Sequence, residues 1–290
     1  MKKVLITGVN GFIGKNLVNV LKESYYIIGI DIQSEVRMQI NKYYQIDITQ
    51  REKILKIDEA IDFVIHLVAL TNPDLEKGKI YNVNVSGTKN ICELSKKINA
   101  KKIIYLSTIA VYPDGGIKKI TEETMEKPIN YYGETKLLAE KIIKESGIKW
   151  TILRPTNIFG AEREDYKKYF NRIKERGKRA GIIFYRNRIP HLIYVKDVVE
   201  VIKLCLENYE TDKEIFIIAD EEERYNEKEI FKILMAFYNL RKLLIPYPIF
   251  WSRKDKRIFC NEKIKKIYDF KYGVKRGIEE ILKEPPTLSL

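Results

Sequence analysis

The sequence predicts an α/β protein: a doubly wound parallel sheet followed by a smaller C-terminal α/β lobe. Three observations carry that prediction. Short β-branched runs alternate with helical patterns through the first half of the chain, the order required by a parallel sheet with helices between its strands. Most of these runs are apolar on both faces, as strands covered from two sides must be. The first run ends in a glycine-rich turn that opens a helix, Thr7-Gly8-Val9-Asn10-Gly11-Phe12-Ile13-Gly14.

The strands expected in order are Lys3–Thr7, Tyr26–Asp31, Phe63–His66, Lys102–Ser107 and Trp150–Arg154, with helices at Phe12–Lys22, Asn84–Ile98 and Tyr131–Ser146. The second half is less regular. A basic helix is expected from Glu164 to Gly177, strands at Ile182–Tyr185 and Leu192–Val195, a helix at Lys196–Asn208 and a strand at Glu214–Ile218. Asn226 with Glu229 three residues on forms a capping box for a helix reaching Tyr238. Helical patterns at Glu262–Tyr268 and Gly277–Lys283 close the chain. The expected division is 1–160 for nucleotide binding and 161–290 for a substrate lobe, with the chain crossing between them more than once.

Composition narrows the possibilities. The chain has 290 residues, 45% hydrophobic and 32% charged, which suits a large core and excludes a disordered polymer. No apolar run approaches the roughly 18 residues of a membrane span, and the longest candidate, Leu243 to Trp251, is broken by two prolines. Gly8, Asn10 and Lys15 interrupt the apolar core a signal peptide needs. Three cysteines stand far apart with two histidines beside them, too few for a zinc site or a disulfide framework. The expectation is a reduced, cytoplasmic protein without a metal.

The net charge is +13, and it is concentrated. From Arg163 to Arg188 ten basic residues face three acids. A solvated basic helix explains this, and so does a site for a phosphorylated ligand. Nucleic acid ranks last, since no reading module accompanies the charge.

The glycine turn has a direct physical meaning. Gly8 allows the tight turn, Gly11 lets a pyrophosphate approach the backbone, and Gly14 lets helix pack on strand. The free N–H groups of the helix start then face the phosphates. Asp31 ends the next strand, placed to accept hydrogen bonds from both ribose hydroxyls of an adenosine. A 2′-phosphate there meets like charge, and neither Ile32 nor Gln33 offers a cation, so NAD is favoured over NADP. Arg37 is the nearest cation along the chain.

With its Gly-x-x-Gly-x-x-Gly spacing, this turn resembles that of the extended short-chain dehydrogenase/reductases, the NAD-dependent epimerase/dehydratase family, which has a Rossmann-type fold. Tyr132 and Lys136 lie one helical turn apart on one face. An ammonium near a phenol stabilises the phenolate and makes Tyr a usable base near neutral pH. Tyr209/Lys213 and Tyr238/Lys242 share the spacing, but Tyr132 alone follows a predicted sheet strand ending in hydroxyl residues, Ser107 and Thr108. The segment Tyr105 to Tyr112 resembles the family strand bearing the catalytic Ser or Thr, which places that role on Thr108.

The resemblance extends further. It implies cofactor contacts at Gly8, Gly11, Phe12, Ile13, Gly14, Asp31, Asp47, Ile48, Leu67, Ala69, Asn84, Tyr132, Lys136 and Thr156. Substrate contacts are implied at Thr108 and Asn157. Arg179 and Arg188, in the basic segment, are the candidates for a substrate pyrophosphate. His66 is read as a structural hydrogen-bonding residue, and Asp197 as a helix cap.

The implied reaction is NAD-dependent hydride removal and return at a sugar carbon, C4 of a nucleotide sugar. A dehydratase is disfavoured, because Ile109-Ala110 replace that group's Asp-Glu pair. Thr71, where several sugar epimerases carry Lys, argues against UDP-galactose 4-epimerisation specifically. The alternatives are an NAD(P)-dependent reductase or dehydrogenase of a sugar nucleotide or sterol-like alcohol, and a non-catalytic dinucleotide-binding protein. A homodimer is implied, formed through the helices Asn84–Ile98 and Tyr131–Ser146.

Overall fold

A computed structural model describes residues 1–36, 38–114, 118–163, 165–170, 175, 182–185, 190–220, 225–240, 243–246 and 257–283. The chain forms two compact units, each assembled from several segments: Met1–Asp114, Thr121–Pro155 and Val199–Ile218 in the first, and Gly115–Ile120, Thr156–Val198 and Ala219–Leu290 in the second.

The first unit is a seven-stranded sheet of β1 (Lys2–Thr7), β2 (Tyr25–Asp31), β3 (Lys42–Gln45), β4 (Phe63–His66), β5 (Lys102–Leu106), β6 (Lys149–Pro155) and β7 (Glu214–Ile218). Their order across the sheet is β7-β6-β5-β4-β1-β2-β3, and every pairing is parallel. The chain winds outward from β1 to β3 and then restarts on the other side of β1 with β4. That reversal leaves a crevice at the carboxyl ends of β1 and β4, the usual ligand position in such sheets.

Burial follows the two-faced apolar pattern of the strands. Leu5, Ile28, Val64, Ile103 and Ile152 join Ile91, Leu94, Ala139 and Ile143 from the helices in one core. Each large side chain so buried contributes about 1.5–3 kcal/mol.

Strand β3 and the helix around Asn84 depart from the sequence expectation. Strand β3 has no apolar run, only Lys42-Tyr43-Tyr44-Gln45, and forms because the edge of the sheet gives it one partner, β2. The helix expected from Asn84 begins earlier, as Lys77–Tyr81, passes through a π-helical stretch Asn82–Gly87 and continues as Thr88–Lys97. The π stretch coincides with a buried Asn84 whose side chain is bonded to the backbone of Leu70, and such bulges mark places where function overrides regular winding.

Among its described residues the second unit holds three two-stranded parallel pairs: Asn157–Phe159 with Leu192–Tyr194, Ile182–Tyr185 with Leu243–Pro246, and Lys119–Ile120 with Ile258–Phe259. The Asn226–Glu229 capping box is present at the start of the helix Glu227–Phe237. Asp197 is fully buried and caps a different helix from its own. Its carboxylate accepts the N–H groups of Lys271, Tyr272 and Gly273 at 2.9–3.3 Å, at the start of Gly273–Lys283.

Candidate active site

The glycine turn runs directly out of β1. Gly8 has φ +72°, a left-handed conformation that side chains disfavour. At Gly14 an added Cβ would lie 2.4 Å from the Gly8 carbonyl oxygen, so helix and turn touch through bare backbone. The helix Phe12–Leu21 that follows has no side-chain cap among the described residues and no acid in its first turn. Its first N–H groups and the positive end of its dipole therefore fit a pyrophosphate.

Asp31 ends β2 beside this turn, half-buried, with Oδ2 accepting the Asn10 N–H at 3.0 Å. Arg37 lies outside the described residues. Asp47 accepts both the backbone N–H (2.9 Å) and the hydroxyl (2.8 Å) of Thr49, which fixes the bend after β3. Ile48 is buried and its carbonyl receives the Asn90 amide at 2.8 Å. Phe12, Ile13, Leu67 and Ala69 are half-buried around the carboxyl ends of β1 and β4.

A second cluster stands at the end of β5. Ser107 and Thr108, equivalent by type, have different fates. Ser107 is buried and donates to Glu140 at 2.5 Å. Thr108 is half-buried, and its Oγ1 accepts the Ala110 N–H at 3.1 Å, which leaves its hydroxyl proton to donate elsewhere. The geometry thus separates a structural serine from an available threonine.

The helix Tyr131–Glu145 is capped by Asn130, whose side chain accepts the Gly133 N–H at 2.8 Å. Its first turn lies against the Thr108 loop: the Ile129 N–H donates to the Ala110 carbonyl at 3.1 Å, and a Cβ on Gly133 would fall 2.4 Å from that oxygen. Only glycine permits this approach, which brings Tyr132 and Lys136 to the loop bearing Thr108.

Lys136 is 1% exposed. Its Nζ donates to the Leu106 carbonyl at 2.7 Å and sits 4.1 Å from the centre of the Tyr105 ring. Burial pushes its pKa down to about 7 despite the nearby Glu140 charge. The carboxylate of Glu140 is spent on Arg154, which binds both its oxygens at 3.0 and 2.6 Å and also reaches Glu126 and the Tyr112 hydroxyl. Lys136 is therefore an amine held by a carbonyl and a ring, with the nearby Glu140 carboxylate engaged by Arg154.

Behind the site runs a buried chain of hydrogen bonds. The Thr88 hydroxyl donates to the Asn84 carbonyl at 2.6 Å, so it accepts from His66 Nε2 at 3.0 Å. Thr7 Oγ1 accepts the Leu67 N–H and lies 2.7 Å from His66 Nδ1, to which it donates. This assigns His66 as a neutral imidazole, and burial together with Lys136 pushes its pKa down to about 3. Asn84 then donates to Thr135 at 3.0 Å, and Thr135 to the Tyr132 carbonyl at 2.8 Å. Strand ends and the helix Tyr131–Glu145 are thereby joined through His66.

Thr156 is buried and Asn157 exposed at the start of the second unit, with the Asn157 amide donating to the Pro190 carbonyl at 2.5 Å. Arg179 and Arg188 lie outside the described residues. The Glu140–Arg154 pair, the Ser107 bond to it and the Asn84–Thr135 link escape sequence reasoning, because nothing in a one-dimensional pattern separates a buried charge from a solvated one. The single available signal is the position of Glu140 one turn beyond Lys136, on the same helix face.

Comparison with known proteins places the chain among sugar epimerase relatives. A UDP-glucose 4-epimerase of Lactobacillus helveticus is 38% identical over 176 residues, 55% of this chain and 52% of that protein, so the match spans about half of its length. The N-acetyl-alpha-D-glucosaminyl-diphospho-ditrans,octacis-undecaprenol 4-epimerase of Escherichia coli O157:H7 is 27% identical over 286 residues, 93% of this chain and 82% of that one. A solved structure of UDP-glucose 4-epimerase with UDP-glucose from Thermotoga maritima superposes with a TM-score of 0.80 at 25% identity, covering 97% of each chain. The model of one family, the NAD dependent epimerase/dehydratases, matches residues 4–219, which takes in the glycine turn, Asp31, Thr108, Tyr132 and Lys136 together. Since that match covers well over half of the sequence, this chain belongs to the NAD dependent epimerase/dehydratase family.

Proposed function

We propose that this protein is an NAD-dependent epimerase that inverts one carbon of a nucleotide sugar, at C4. The observation that carries the reading is the Tyr132/Lys136 pair on a helix packed through Gly133 against the loop that presents Thr108. Bound NAD supplies the hydride acceptor and donor. The chain's own residues handle the proton and the orientation. Thr108 donates to the C4 oxygen and fixes it; the Tyr132 phenolate takes the hydroxyl proton and later returns it to the same oxygen. As the phenolate forms, its negative charge favours the protonated form of Lys136, and the two charges stabilise each other. Inversion then requires that the keto sugar present its other face before the C4–H bond re-forms and the oxygen regains its proton.

Gly8, Gly11, Phe12, Ile13 and Gly14 hold the pyrophosphate in this reading, Asp31 the adenosine ribose, and Asp47, Ile48, Leu67, Ala69, Asn84 and Thr156 border the cofactor. Asn157, Arg179 and Arg188 serve the substrate. The protein works as a cytoplasmic homodimer. Leu138, 45% exposed, is flanked on its helix by Glu134 and Lys141, and two copies crossing antiparallel there would pair each acid with a lysine.

The test is incubation with a panel of UDP-, GDP- and dTDP-hexoses, read by proton NMR. An epimer mixture approached from either sugar, with no NADH accumulating, is the expected result, and Tyr132→Phe lowers the rate by about 10²-fold or more while still binding NAD. Stoichiometric NADH with a stable keto product would make the protein a dehydrogenase. Wild-type turnover in Tyr132→Phe would remove the mechanism.

A further inference from the structure

The segment between β2 and β3 borders Asp31, and two side chains with no part in proton transfer hold it in place. Asn10, within the glycine turn, is 4% exposed. Its backbone N–H orients Asp31 Oδ2, while its side-chain Nδ2 donates to the Glu35 carbonyl at 2.9 Å and reaches the Tyr43 hydroxyl at 3.3 Å. Tyr43, on β3, donates that hydroxyl to the Gln33 carbonyl at 2.5 Å. The Gln33 N–H returns to Asp31 Oδ1 at 3.3 Å and closes the circuit. Each Asp31 oxygen is thus aimed by a backbone N–H, and the carbonyls on both sides of Ser34 are pinned.

The chemistry of the two dinucleotides makes this circuit selective. Each aimed oxygen keeps a lone pair for one ribose hydroxyl, and a diol offers two protons to match. A 2′-phosphate offers acceptors and negative charge instead, and needs the segment to swing away from Asp31. Swinging it out breaks the Asn10–Glu35 and Tyr43–Gln33 bonds. We propose that Asn10 and Tyr43 are specificity-determining positioning residues that clamp the Gln33–Glu35 segment beside Asp31 and thereby select NAD against NADP. Asp31 contributes charge; the clamp contributes geometry. Burial and the Asp31 charge hold the Tyr43 hydroxyl above the ordinary tyrosine pKa, so it remains a donor throughout the working pH range.

The proposal rests on the reading of the glycine turn and Asp31 as the adenosine side of the NAD site. It is tested by calorimetric titration of the nucleotide-stripped protein with NAD and with NADP. In Tyr43→Phe, which keeps the ring, NAD affinity falls about five- to tenfold while NADP affinity holds or improves, the scale of one lost hydrogen bond. Asn10→Ala shifts the ratio of affinities the same way. Equal weakening of both dinucleotides, or an unchanged ratio in Tyr43→Phe, overturns the clamp. Asp31→Asn separates the two levels: if it weakens NAD while Tyr43→Phe leaves the ratio alone, the clamp fails and the site stands. If Asp31→Asn leaves NAD affinity unchanged, both fall.

Discussion

At the scale of single residues, the chemistry turns on how Lys136 is housed. Its amine is buried against the Leu106 carbonyl and the Tyr105 ring, which pushes its pKa down to about 7 from an ordinary 10.5. Between those two values the unfolded chain binds a proton that the folded chain has released, so stability rises with pH across that window. The melting temperature of the cofactor-free protein should therefore climb from pH 7 to pH 9 relative to Lys136→Met, with the gap between the two changing by up to about 1.4 kcal/mol per pH unit. Parallel melting curves for the two proteins would show that burial does not depress the Lys136 pKa. Much of this site was legible in the sequence. The glycine turn, Asp31, Thr108, Tyr132 and Lys136 announce themselves because each needs one residue type at one spacing. The surroundings that tune them did not, since Ser107, Glu140 and Arg154 read as ordinary polar residues until folding buries them together.

At the scale of elements, the helix Tyr131–Glu145 is placed by its first turn. Asn130 caps it and Gly133 lets it rest on the Ala110 carbonyl, so a methyl group at Gly133 should lever Tyr132 away from Thr108. Gly133→Ala is expected to retain NAD, to lose about 1–3 kcal/mol of stability from overpacking and to cut turnover by about 10²-fold. Titration with NAD beside denaturant unfolding and a rate measurement checks all three; full activity in that variant would mean that the helix has slack at its start. Elements themselves were read unevenly. Strands β1, β2, β4, β5 and β6 are largely apolar and buried, and they lie within a residue or two of the expected ranges. Strand β3 was not, because an edge strand with one partner needs no such run. The π stretch at Asn82–Gly87 was also invisible, being imposed by the Asn84 side chain and its bonds to Leu70.

At the scale of the whole molecule, sequence order and spatial order part company. The strand Glu214–Ile218 follows a long stretch of the second unit, yet it extends the first sheet beside β6, because parallel partners are chosen in three dimensions. Assembly is a further level, and the dimer reading makes its own prediction: Leu138→Glu should convert a dimer to a monomer in sedimentation velocity, while an unaltered sedimentation coefficient would place the contact elsewhere. The central claim is that one NAD stays in place and cycles. Native mass spectrometry of the freshly purified protein, followed by acid release and identification of the nucleotide, tests it most directly. The account predicts a chain that carries NAD through purification and epimerises sugars with none added. A chain at its bare mass, releasing no nucleotide and active only while it consumes added NADH or NADPH, would contradict it.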